Sequence, residues 1–85
     1  MDKTHNISIP ATVRYNKNLS ASAKIFYGEI QFEILYKGFC LKDLNYFAEL
    51  LNSTVGTVRA WMYELIDNFY IKIESKQKKD YLIIV

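Results

Sequence analysis

Two amphipathic stretches separated by only two polar residues constrain this chain more than any other feature. They are "DLNYFAELL", residues 43–51, and "TVGTVRAWMYELID", residues 54–67, with Asn52 and Ser53 between them. The first sets Leu44, Phe47, Leu50 and Leu51 on one side behind Asp43 as an N-cap. In the second, Thr54 caps again and Val55, Val58, Met62, Leu65 and Ile66 resume a helical stripe. Two such helices joined by a turn of about three or four residues form a helix-turn-helix. The segments on either side must complete its core.

Upstream, "NLSASAKIFYGEIQFEILYKG" carries a helix start at Ser20 or Ser22 and apolar residues at Ala23, Phe26, Tyr27, Ile30 and Ile34. That spacing predicts a first helix over 20–36, ended by Gly38. Ile25 and Phe32 lie off the stripe and predict a second buried face. Residues 1–18, with the only proline at Pro10, read as an N-terminal arm, and "FCL", 39–41, as an edge strand. Downstream, "YIKIE" and "YLIIV" flank "SKQKKD", which predicts a hairpin over 70–85. The expected fold is therefore α+β: one winged helix-turn-helix domain over 1–85, with a three-helix core and a C-terminal β-hairpin wing. A chain of 85 residues makes one small domain, burying about 60–65% of its unfolded surface.

Composition narrows the function. At 51% hydrophobic residues the chain is too apolar for disorder, yet its apolar runs are far shorter than a bilayer span. The opening "MDKTHNISIP" has no apolar signal core, so the cytoplasm is the expected location and no membrane partner is expected. His5 stands alone, Cys40 reads as a small buried hydrophobe, and Gly28, Gly38 and Gly56 are isolated. No catalytic residue, metal, cofactor or small-molecule substrate is expected. Seven tyrosines and five phenylalanines read as core filling, with Trp61 packed under the motif.

The segments "IPATVRYNKNLSASAKIFYGEI" and "GFCLKDLNYFAELLNSTVGTVRAWMYELIDNFYIKIE" resemble the helix-turn-helix domain at the N-terminus of phage and plasmid replication initiators and replisome organisers. Leu19, Ser20, Ala23, Lys24 and Tyr27 match the opening of the family's first helix. Leu50, Leu51, Thr57, Val58, Trp61, Leu65 and Ile71 match its core and wing entry. The resemblance implies binding to double-stranded origin DNA through a recognition helix from Thr54 to Asp67. Asn52 replaces the turn glycine, and in "DNFY" Asn68 is expected to take the left-handed conformation that a glycine would supply.

Charge is where this chain departs from that pattern. It carries 11 cations against 9 carboxylates, a net charge of +2. Within 43–69 Arg59 is the sole cation against Asp43, Glu49, Glu64 and Asp67. Cations sit elsewhere: Lys3, Arg14 and Lys17 in the arm, Lys24 and Lys37 on the first helix, and Lys76, Lys78 and Lys79 at the wing tip. On duplex DNA, Arg14, Lys17, Lys76, Lys78 and Lys79 would hold phosphates, while Ser53, Thr54, Thr57, Arg59 and Tyr63 would do the reading. A homodimer would bring two weak readers to a useful affinity. The competing expectation is a small protein-binding inhibitor or adaptor of a host machine, in the manner of an anti-CRISPR, docking through exposed Val55, Ala60 and Tyr63.

Overall fold

Ser20 begins the longest helix as its spacing requires: its hydroxyl accepts the Ala23 N–H at 3.1 Å. In the computed structural model, which describes residues 9–85, that helix is the second of four, followed by a C-terminal antiparallel hairpin. The elements are α1 (Ala11–Arg14), α2 (Ala21–Lys37), α3 (Leu44–Leu50), α4 (Val55–Asp67), β1 (Ile71–Lys76) and β2 (Lys79–Ile84). Lys3 and His5 lie outside the described residues. The architecture is α+β, and the helix starts agree with the caps: Asp43 accepts the Tyr46 N–H and Thr54 the Thr57 N–H.

Four expectations need correction. Residues 11–14 of the arm form a helix, and its Val13 is buried in the core, so four helices replace the three expected. Ile25 is 43% exposed and Phe32 half-buried, and the additional buried residues on α2 are Gly28, Glu29 and Glu33 rather than a second apolar face. Glu33 tolerates burial because Lys37 lies 3.0 Å away and the Tyr46 hydroxyl donates to it at 3.1 Å. On α3 the inward residues are Leu44, Phe47 and Ala48, while Leu50 turns outward. Finally, Trp61 is only half-buried, lying 6.4 Å from the Phe26 ring at the margin of the core.

The helix ends explain how the motif does without its glycines. After α3, Asn52 takes φ 52°, its N–H donates to the Glu49 carbonyl, and the Ser53 N–H donates to the Ala48 carbonyl at 2.7 Å. Asparagine tolerates this left-handed position because its short polar side chain bonds locally. After α4 the same pair of bonds runs from Phe69 to Ile66 and from Tyr70 to Leu65. Here the left-handed residue is Phe69, at φ 65°, and not Asn68, at φ −97°. Asn68 instead donates its side-chain amide to the Glu64 carbonyl at 2.8 Å.

Phe69 is 82% exposed and therefore gains almost nothing from burial in return for its backbone strain. Phe69→Gly is expected to stabilise the chain by about 1 kcal/mol, which for a domain of this size raises Tm by about 4–8 °C in a thermal melt. An unchanged or lower Tm would mean that the ring makes a contact of its own.

The core sits between α2, α3, α4 and the hairpin. Phe26 meets Phe47 edge to face at 5.0 Å, and Val13, Ile30, Val58, Met62, Leu65, Ile71 and Leu82 complete the packing. In the hairpin, Ile71 pairs with Ile84 and Lys76 with Lys79, so only Gln77 and Lys78 turn the chain. Both have positive φ, the geometry that matches strand twist in a two-residue turn. "SKQKKD" is thus mostly strand, with a two-residue tip.

Candidate nucleic-acid interface

The expected edge strand "FCL" contributes a single bridge, Leu41 to Tyr81, that attaches the α2–α3 connection to β2. The Leu82 N–H donates to the Cys40 carbonyl at 2.8 Å, and the Lys42 N–H donates to the Asp80 carbonyl at 2.9 Å. These bonds set the hairpin beside the start of α3. The first turns of α4 close the third side, and the three walls enclose an open cleft of about 470 Å³.

Three cations line that cleft: Lys42 before α3, Arg59 on α4 and Lys79 at the start of β2. Asn45, Val55 and the carboxylates of Asp43 and Asp80 share it. Both carboxylates hold structural bonds, since Asp43 accepts the Tyr46 N–H and Asp80 accepts the Ser75 hydroxyl. Each keeps its charge while so bonded, and the cleft lining carries three cations against two carboxylates. Such a cleft can hold a polyanion along its floor.

The outward stripe of α4 runs through Gly56, Arg59, Ala60, Tyr63 and Asp67, all exposed, on the side opposite buried Val58, Met62 and Leu65. Arg59 therefore lies both on this stripe and in the cleft. Thr54 and Thr57 are exposed at the head of the helix and bonded to each other, the Thr54 hydroxyl donating to Thr57 Oγ1 at 2.9 Å. Ser53 is half-buried in the turn. Val55, expected as part of an apolar docking face, is half-buried against the core and forms part of the cleft wall instead.

Other expected cations fall outside the cleft. Lys76 pairs with Glu74 at 3.3 Å and lines a separate, mostly apolar groove of about 420 Å³ with Ile34, Phe39, Tyr81 and Ile83. Lys78 is exposed at the turn. Arg14 donates to the Ile9 carbonyl at 2.9 Å, and α1 is anchored through the Tyr70 hydroxyl, which donates to the Thr12 carbonyl and accepts from Asn16. Arg14 and Lys17 therefore lie by the C-terminal end of α4, which at 13 residues is about 20 Å long, while the cleft lies at its N-terminal end.

One carboxylate of the motif has a structural role. Glu64 accepts both the Ser20 N–H, at 2.8 Å, and the Ser20 hydroxyl, at 2.9 Å, so it caps α2 from α4. Lys42 and Asn45 were not expected to take part. Their signal was the short "FCL" strand, whose attachment to β2 turns the next residue toward Arg59.

The perturbed groups lie elsewhere. Burial, then the charge of Glu33, pushes the Cys40 thiol up to about 12, while nearby Lys37 lowers it only in part. That thiol stays protonated and unreactive at neutral pH. Burial and Glu33 likewise push Tyr46 up to about 12. Among the described residues no group of His, Cys, Asp and Glu could hold a metal ion. No helix of the described residues is long and apolar enough to cross a membrane. No family model, curated protein or solved structure matches the chain.

Proposed function

We propose that the chain is a winged helix-turn-helix DNA-binding protein of a phage, plasmid or other mobile genetic element, acting in replication initiation or transcription regulation in the cytoplasm. The observation that carries this reading is the convergence of Lys42, Arg59 and Lys79 on one cleft between α3, α4 and the hairpin. In this reading α4 enters the major groove of a duplex, which is wide enough for a helix. Lys42 and Lys79, neighbours on the cleft wall that faces α4, neutralise phosphates along that wall, while Arg59 offers its two-pronged guanidinium to a guanine edge. Thr57 and Tyr63, exposed on the same helix, supply further polar contacts. An antiparallel two-strand hairpin following the helices is compatible with a winged helix, which supports the reading.

Arg59→Ala tests it. The side chain is exposed and stands outside the core, so the fold should persist. Loss of a bidentate guanine contact should reduce discrimination between sites by about 1–3 kcal/mol, read as the ratio of affinities for preferred and scrambled duplexes. Equal ratios in parent and variant would remove Arg59 as a reader.

A second reading is favoured by Ala60 and Tyr63, two exposed apolar-bodied residues beside Arg59 on the same stripe. There the helix docks on a host protein. Tyr63→Ala would then abolish capture of that protein while Arg59→Ala is silent, and no duplex would bind at low salt.

A further inference from the structure

Among the described residues the hairpin has one covered and one open edge. On the β2 side the 40–42 segment bonds to Leu82 and Asp80, whereas no strand of the described residues lies beyond β1. The Val85 N–H donates to the Tyr70 carbonyl, and the turn closes on Lys76 and Lys79. Even-numbered residues of β1 therefore direct their backbone groups to β2, and Ile71, Ile73 and Ser75 direct theirs outward; Ile71 is buried, so the open stretch of the edge runs from Lys72 to Lys76. No hydrogen bond beyond the hairpin engages those outward groups among the described residues. An open edge of this kind is a template for another strand.

We propose that β1 is a dimerisation edge, pairing antiparallel with β1 of a second copy so that Ile73 lies opposite the partner's Ile73. The side chains select this partner and register. Only registers that place outward groups against outward groups can bond, so allowed registers differ by steps of two residues. With Ile73 centred on the two-fold axis, Lys72 faces the partner's Glu74 and Glu74 faces the partner's Lys72. A shift one step toward the turn opposes Glu74 with the partner's Glu74 and Lys72 with the partner's Lys76. A shift the other way opposes Lys72 with the partner's Lys72. The segment "KIE" is thus self-complementary in one register and repulsive in both neighbours, as a two-fold interface requires.

Ile73 adds an apolar contact at the centre. It lies on the same sheet face as buried Leu82 yet remains 37% exposed, so the partner's Ile73 would cover it. Lys72 by itself would guard the edge against strangers. Paired with Glu74 two residues on, it admits a second copy while still repelling a basic strand.

The test is sedimentation equilibrium of the chain without nucleic acid, with three variants. The parent is expected to show a concentration-dependent monomer–dimer equilibrium. Lys72→Glu and Glu74→Lys should each weaken it about tenfold or more, because symmetry counts every like-charge pair twice. The double variant Lys72→Glu/Glu74→Lys should restore it by exchanging both charges. A parent that stays monomeric to its solubility limit overturns the proposal, as does a dimer indifferent to the single changes or a double variant as weak as either single. Duplex binding is read separately. Dimerisation without duplex binding overturns only the DNA reading, and duplex binding by a monomer overturns only this one.

Discussion

In a duplex titration, Lys42→Ala/Arg59→Ala/Lys79→Ala is expected to lose about two orders of magnitude in affinity at low salt and to flatten the salt dependence by about two units of slope, one for each phosphate-holding lysine. Each cation held against a phosphate releases a counterion, and the release is entropic, so loss of the cation shows as a slope change as well as a weaker complex. The three residues are expected to act together because they line one cleft. The contrast is Lys76→Ala/Lys78→Ala, beside Lys79 at the turn but outside the cleft. Lys76 is tied to Glu74 and faces the apolar groove, so this pair should change the slope by about one unit or less. If the tip pair matters more than the cleft triple, the duplex runs over the tip and the proposed docking is wrong. Circular dichroism of the triple variant should match the parent, since all three side chains lie outside the core.

The helices were legible in the sequence because their signals are local. Ser20, Asp43 and Thr54 each accept the N–H three residues on, so the predicted starts fall on the observed caps. The turn after α3 was legible for a similar reason, since Asn52 is one of the few residues that accept a left-handed backbone. The end of α4 was not. Chemistry favours Asn68 for the left-handed position, yet Asn68 stays in the last turn and the next residue, Phe69, reverses the chain. What decides there is where Tyr70 and Ile71 must enter the core, a tertiary demand that no local preference records.

The cleft was half legible for the same reason. Arg59 stood out as the motif's only cation, and Lys79 as one of three lysines near the tip. Nothing local distinguishes Lys79 from Lys76 or Lys78. The difference comes from a two-residue turn and the bridge from Leu41 to Tyr81, which sends Lys79 and Lys76 to different concavities. Val55 is less exposed than its sequence position suggests, because a stripe position at a helix start can border the core and a cleft together. The acidic count of the motif stands, but it carries no information about direction. Glu64 points at Ser20 on α2 and Asp43 at the backbone of its own helix.

Phe26→Ala is expected to be the most damaging single change, costing about 3–5 kcal/mol in denaturant unfolding. A chain of 85 residues has a total stability of only about 4–13 kcal/mol, so the variant should be largely unfolded at 37 °C or close to it. Phe26 is fully buried on α2 and touches both halves of the helix-turn-helix: Phe47 of α3 edge to face at 5.0 Å and Trp61 of α4 at 6.4 Å. Removing the ring deletes its apolar burial and leaves a void lined by three helices that cannot all collapse inward. Trp61→Phe makes the useful comparison. Its side chain is only half-buried, so it should lose about 1 kcal/mol and retain the fold. If Phe26→Ala unfolds at nearly the parent's denaturant midpoint, the core does not depend on this ring. The crossing of α3 and α4, and with it the position of Arg59 over the cleft, would then be set by the Glu64–Ser20 cap and the Leu41–Tyr81 bridge instead.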